Sequence, residues 1–323
     1  MSKHTKIIII TVMIIAVIIP SLITGCSLRK MTDIGSDIYR SINKDNSDDK
    51  KKSDKNDASK DKGNEGSSGV ETITYRDVEG NEFVMDVDPD VKKHDYDLSK
   101  LKHREGSDKI SFDDGKYTIR KGVDVSHHNG VVDWEKVKKA GYTFAFLRLG
   151  YRGYGKDGQL MVDREFQSSF KRARAAGMKL GVYFFSQAIN EKEAVEEAKL
   201  VLRELNNSKL DLPVVFDPEN IKNDEARTDN VDGDQFTKNT LAFSKVIKEA
   251  GYKPAIYCNM HWEDQMLDLG QLSDLPIWYA DYCAKPQTPY RFTFWQYSES
   301  GKVDGISGNA DLNVWFVKTG KNK

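Results

Sequence analysis

The segment Val214-Val-Phe-Asp-Pro-Glu219 ends an apolar run with two carboxylates, Asp217 and Glu219, separated by one proline. On an extended chain side chains alternate, so both carboxylates face one way with Cα atoms about 6.5–7 Å apart. Pro218 disfavours helical backbone at Asp217 and keeps the stretch extended. Two carboxylates this close cannot both ionise freely. One pKa rises, and a protonated acid becomes available near neutral pH. Cleavage of a glycosidic bond needs such a pair, one group to protonate the leaving oxygen and one to stabilise positive charge at the anomeric carbon. A solvent-exposed acidic turn after a buried strand is the other reading of this motif alone.

The elements that must position the pair come from a grammar used three times, in which a helical pattern ends at Ala-Gly and a strand pattern follows. The segments are Asp133–Ala140 before Gly141, Asp163–Ala176 before Gly177, and Thr237–Ala250 before Gly251. Glycine after the last helical residue suits the left-handed position that terminates helices, and Asp133 and Asp163 are candidate N-caps. A fourth helix opens at Asn190 with Glu193 three residues on, as in a capping box. Eight strands are expected, around 122–125, 143–149, 179–185, 213–217, 254–258, 276–280, 292–297 and 312–317. The early ones alternate with helices, which argues for parallel pairing, and the last ones have only short connections. An α/β fold of the modified TIM-type (β/α) barrel follows, with eight strands and an incomplete helix layer. An open dinucleotide-binding sheet is disfavoured, because Asp124-Val-Ser-His-His-Asn-Gly130 is not a glycine-rich phosphate turn. No cofactor is expected.

Function in such barrels collects at the C-terminal ends of strands. Asp124 ends the first strand, and Asp311 stands immediately before the eighth. Closure of the barrel makes those strands neighbours, so both aspartates would flank the central pair. Four converging carboxylates are electrostatically costly, which favours a functional site. Aromatic side chains gather at the same ends: Tyr183 and Phe185, Tyr257, Trp278 and Tyr279, Trp295 and Tyr297. Such rings can pack on the C–H faces of sugars, with Asn259 and Gln296 available to hydroxyl or acetamido groups. Aromatics in strands are also ordinary core residues, and about half of these should be core.

Several of these motifs, in this order, resemble glycoside hydrolase family 25, the Chalaropsis-type lysozymes. They are Gly122-Val-Asp-Val-Ser-His-His-Asn-Gly130 with Trp134, Asp217-Pro-Glu219, Ile277-Trp-Tyr-Ala280, Trp295-Gln-Tyr297 and Asp311-Leu-Asn313. The resemblance runs from Arg120 to the end of the chain. It implies a barrel of five β/α units followed by three strands with little helix. It also implies a muramidase that cleaves the β-1,4 bond between N-acetylmuramic acid and N-acetylglucosamine of peptidoglycan. Glu219 matches the family's general acid, Asp217 the aspartate beside the substrate acetamido group, and Asp124 and Asp311 the outer aspartates. The implied course is retention of configuration with the acetamido group as internal nucleophile. Asn129 and Phe184 depart from the family's frequent Gln and His, which touches subsite fit and no proposed carboxylate. A wall-binding scaffold without turnover, and a hydrolase of another N-acetylated glycan such as chitin, are the competing readings.

The remainder of the 323-residue chain is expected to deliver this domain to its substrate. Lys3, His4 and Lys6, the uncharged run Ile7–Pro20 and Leu22-Ile-Thr-Gly-Cys26 describe an export signal. The cysteine resembles the lipidated residue of bacterial lipoproteins, so residues 1–26 read as a signal peptide with a membrane anchor on Cys26. An uncleaved transmembrane anchor is the alternative. Either reading places the domain outside the cytoplasmic membrane. Residues 27–69 form a charged linker, with a single apolar residue, Ala58, between Asn43 and Gly69. Such composition cannot offset its ordering entropy. Residues 70–118 read as a small β-rich extension of unassigned role, and 119–323 as the catalytic barrel. The net charge of -1 gives no support for a nucleic-acid partner. No zinc-spaced Cys/His cluster appears, and His127-His128 lacks visible partner ligands for a metal. Cys258 and Cys283 could form a disulfide after export or stay unpaired. Oligomeric state is not legible.

Overall fold

The computed structural model describes residues 70–320 apart from 78, 79 and 223. The expected signal peptide, Cys26 and the linker lie outside the described residues. Among the described residues no helix is long and apolar enough to cross a membrane.

The extension contains a hairpin of β1 (Thr72–Arg76) and β2 (Glu82–Asp86), followed by the short strands β3 (Lys102–His103) and β4 (Ile110–Ser111). Then come β5 (Tyr117–Val125), α1 (Trp134–Lys139), β6 (Tyr142–Arg152), β7 (Leu160–Val162), α2 (Phe166–Ala175) and β8 (Lys179–Ser186). They are followed by α3 (Glu191–Leu205), β9 (Val214–Pro218), α4 (Gly233–Glu249) and β10 (Pro254–Asn259). The chain finishes with β11 (Ile277–Ala280), β12 (Phe294–Gly301) and β13 (Ala310–Lys318).

Strands β5, β6, β8, β9, β10, β11, β12 and β13 close a barrel, with β13 pairing back onto β5. All neighbours are parallel from β5 round to β12. Strand β13 runs antiparallel to both β12 and β5. Helices α1 to α4 cover the first part of the wall, and the fifth crossover holds only a π-type turn, Trp262–Met266. The helix layer is therefore incomplete. Strand β7 had no sequence expectation; it adds an antiparallel edge to the end of β6.

The helix-ending glycines behave as their spacing requires. Gly141, Gly177 and Gly251 take φ of 92°, 72° and 84°, the left-handed region closed to most side chains. Asp133 and Asn190 cap α1 and α3 through the backbone N–H groups of Lys136 and Glu193. Two expectations need correction. Helix α4 begins a turn before Thr237, because Asp232 accepts from Gln235 N and so provides an earlier cap. Asp163 does not cap α2, which starts later, at Phe166: its Oδ1 accepts from Glu165 N ahead of the helix, and its Oδ2 receives Arg148 and the His127 backbone near the barrel mouth.

Alternation divides the core in two. Phe144, Phe146, Val215, Trp278 and Phe294 fill the barrel, while the intervening residues pack outward under helices. Gly122 and Gly181 make the inner packing feasible. A Cβ at either would lie 2.4–2.5 Å from ring atoms of Phe144 and Phe146 respectively. The extension is fixed to the outer wall. Tyr75, Met85 and Val87 are buried, each worth about 1.5–3 kcal/mol by transfer. Tyr96 stacks on Phe316 and donates to the Phe292 carbonyl at 2.6 Å.

Candidate active site

Inward-facing positions recur every second residue, and those near the C-terminal end of the barrel's parallel register meet at one rim. From β5 this brings Asp124, from β6 Arg148, from β9 Asp217 and from β12 Gln296. Strand β13 runs the other way, so its first residues reach the same rim. Asp311 stands opposite Asp124 in register, with Asn313 two residues deeper.

Asp124 is buried and accepts from Gln296 Nε2 at 2.9 Å and Asn313 Nδ2 at 2.8 Å. Both amides have their orientation fixed by donors on their oxygens. Trp278 Nε1 donates to Asn313 Oδ1 at 2.8 Å, and the hydroxyls of Tyr257 and Tyr282 each donate to Gln296 Oε1 at 2.9 Å. Burial raises the Asp124 pKa, and hydrogen bonds from Asn313, Gln296 and Asp311 oppose that rise. Asp311 is pushed up to about 9, by burial first and then by the charge of Asp124. The pair therefore holds one proton, on Asp311, shared with Asp124.

Burial, then the charges of Glu219 and Asp124, push Asp217 well above the usual carboxylate range, and the Arg148 cation opposes them. Its Oδ1 is buried with no hydrogen-bond partner among the described residues. Glu219 is pushed up to about 7, by burial first and then by Asp124, with the Tyr257 hydroxyl pulling the other way. Its carbonyl accepts from Gln187 Nε2 at 2.6 Å, which ties the end of β9 to β8. At neutral pH the Asp217–Glu219 pair retains a proton, and Glu219 is the partly exposed member at the cavity.

Arg148 was not singled out from sequence. It shares the inward parity of Phe144 and Phe146, the signal that could have found it. Its Nε donates to Asp163 Oδ2 at 2.9 Å and its Nη2 to His127 Nδ1 at 2.7 Å. His127 therefore supports Arg148. Among the described residues no group of three or more His, Cys, Asp or Glu side chains could hold a metal ion. Asn129 ties the Ser126 backbone to the Asn309 carbonyl, and Phe184 is buried in the outer core.

The aromatic candidates separate by parity. Tyr183, Tyr257 and Trp278 face into the barrel, and Phe185 pairs beside Asp217 near its mouth. Trp278 stacks on Phe146 at 4.5 Å, below the rim, as a supporting residue. Tyr279, Trp295 and Tyr297 occupy outward positions in the outer core, and of the three Tyr279 also borders the cavity beside Glu219. Trp295 Nε1 donates to the Asp281 carbonyl, Tyr279 to the Asp281 side chain, and Tyr297 to the Asp108 carbonyl. Gln296, between two of them, faces inward, but Asp124 and the two tyrosines engage it. Asn259 lines the cavity while its Oδ1 accepts from Trp262 N.

The disulfide alternative is also corrected. Cys258 and Cys283 are unbonded, with Cys258 buried beside Glu263 and Cys283 turned to Arg76. Glu263 Oε2 is buried without a hydrogen-bond partner among the described residues. Burial raises the Glu263 pKa from 4.5 to about 8. Between those values the fold keeps a proton that the unfolded chain releases, so stability falls as pH rises, by up to about 1.4 kcal/mol per pH unit. Glu263→Gln should therefore gain thermal stability relative to the native chain as pH is raised from 5 to 8. A difference in Tm that stays constant with pH would contradict this assignment.

A cavity of about 680 Å³ opens beside Glu219 and Tyr257 and runs between the 258–262 and 279–287 segments towards the β1–β2 hairpin. The volume lies within the range of ligand clefts.

Comparison with known proteins identifies the segment. The model of glycosyl hydrolases family 25 matches residues 123–306. YegX of Escherichia coli O157:H7 is 29% identical over 208 residues, 62% of this chain and 70% of YegX. The autolytic lysozyme of Clostridium acetobutylicum is 27% identical over 194 residues, 60% of this chain and 55% of the lysozyme. Among solved structures, the autolysin LytC of Streptococcus pneumoniae, in complex with a synthetic peptidoglycan ligand, matches with a TM-score of 0.54 and 25% identity. That match covers 75% of this chain and 56% of LytC. The chain thus spans little more than half of the lysozyme and of the autolysin.

Proposed function

Because the chain belongs to the family 25 glycosyl hydrolases, we propose that it cleaves the β-1,4 bond between N-acetylmuramic acid and N-acetylglucosamine in peptidoglycan, with Glu219 as general acid. The observation that carries this reading is the meeting of Asp217 and Glu219 with the Asp124–Asp311 pair at one barrel rim.

The chemistry follows from the partners of each carboxylate. Asp217 Oδ1 has no hydrogen-bond partner among the described residues and suits the N–H of the substrate's acetamido group. That donor favours the ionised form of Asp217 and leaves the shared proton of the pair on Glu219. Glu219 then protonates the bridging oxygen as the acetamido oxygen closes on the anomeric carbon and the leaving sugar departs. Asp124, hydrogen-bonded by two amides and Asp311, stabilises the positive charge that develops on the ring. Water, deprotonated by Glu219, opens the cyclic intermediate from the face the leaving group vacated, so configuration is retained.

On this reading Cys26 carries lipid and holds the enzyme on the outer face of the cytoplasmic membrane.

Incubation with purified peptidoglycan and with chitin tests the assignment. Soluble fragments are expected from peptidoglycan and none from chitin. Cleavage of chitin would transfer the enzyme to another N-acetylated glycan. Retention on peptidoglycan without any release would make the chain a wall-binding scaffold.

A further inference from the structure

The cavity beside Glu219 is not built by the barrel alone. Arg76, Asp77, Gly80 and Phe83 of the β1–β2 hairpin, with Glu105, line its far side. These residues precede residue 123, where the family match begins. The hairpin is a fixed wall rather than a loose arm. Arg76 N donates to Gln287 Oε1 and Gln287 Nε2 donates to the Arg76 carbonyl, each at 2.8 Å, a two-point clamp onto the segment before β12. Buried Tyr75 donates to Asp264 Oδ2 at 2.9 Å and stacks with Phe83 at 5.4 Å.

We propose that this hairpin adds a glycan subsite to the groove, in which Phe83 and Arg76 receive a sugar ring of the strand beyond the two residues at the scissile bond. The proposal rests on the peptidoglycan-hydrolase reading. A polymer threaded past Glu219 must continue along the cavity, and the cavity leads to the hairpin. Phe83 offers an aromatic face and Arg76 a planar guanidinium, both lining the cavity, and a sugar brings apolar C–H faces and vicinal hydroxyls to such groups. Charge argues against a stem peptide as the occupant. Arg76 is engaged by Glu105 at 3.1 Å, and Asp77 and Glu299 also line the groove, so it offers no excess of positive charge to peptide carboxylates.

Cys283 supplies a reporter, because its sulfur lies 3.6 Å from Arg76 Nη2 on the barrel side of the groove and is partly exposed. In the full chain carrying Glu219→Gln, alkylation of Cys283 is followed by peptide mass spectrometry, with buried Cys258 as the internal reference. Octasaccharide glycan at ten times its Kd should slow the reaction about tenfold. Tetrasaccharide should protect less. In the otherwise native enzyme, Arg76→Gln and Phe83→Ala should each raise KM for long strands several-fold, erasing the gain in affinity with chain length. Unchanged Cys283 reactivity together with native KM in both variants, in an enzyme that still cleaves peptidoglycan, would overturn the subsite. Equal protection by free stem peptide would overturn it too. Failure of the native chain to cleave peptidoglycan would instead sink the reading on which the subsite rests.

Discussion

Glu219→Gln should leave the barrel folded and lower kcat on peptidoglycan by about 10²–10⁴-fold, the usual contribution of a general acid. The amide matches the carboxyl in shape but has no proton of suitable acidity to give. Binding should survive, because the same change removes a carboxylate that burial already disfavours. The pH profile gives a second signature. Glu219 is held up to about 7, and the protonated form is the reactive one, so native activity should fall as pH rises through that value. The residual activity of the variant should lack this limb. Comparison of kcat, KM and pH profile for the two proteins checks all three statements. A variant that keeps native kcat would move the acid to another residue.

Asp217→Asn should cost about 10²-fold in kcat/KM, the scale expected when an internal nucleophile loses its orientation. The substrate decides whether that is the cause. On glycan whose N-acetyl groups have been removed, the native enzyme should itself slow severely, and Asp217→Asn should add little further loss. Effects that act through one shared contact are non-additive in this way. Full additivity, with the same fold loss on both substrates, would show that Asp217 acts through something other than the acetamido group.

Much of the barrel was legible because simple signals agreed. Gly141, Gly177 and Gly251 marked helix ends, and β-branched and aromatic runs marked strands that the structure extends by only a few residues in most cases. The spacing of Asp217-Pro-Glu219 left an exposed acidic turn open, and the burial of Asp217 within reach of the Asp124 charge is a tertiary fact that spacing does not carry. The direction of β13 was not legible, since its short connection is compatible with either orientation. That direction explains why Asp311, at the start of its strand, shares a rim with residues at the ends of theirs. Trp295-Gln-Tyr297 shows the opposite failure. Composition drew attention to the rings, while period-2 alternation turns both outward and leaves the glutamine inside. Arg148 was overlooked because it sits in an apolar run, although its parity with Phe146 was readable. The wall built by the hairpin is a tertiary contact between residues about 200 positions apart, and no local pattern encodes it.

The most direct test reads which sugar is left with a free reducing end. Purified peptidoglycan is digested with the native chain, the fragments are reduced with borohydride, and mass spectrometry identifies the reduced terminus. The proposed function predicts N-acetylmuramic acid at that terminus, and none after digestion with Glu219→Gln. Termini of N-acetylglucosamine, or equal release by the variant, would contradict the assignment of the bond or of the acid.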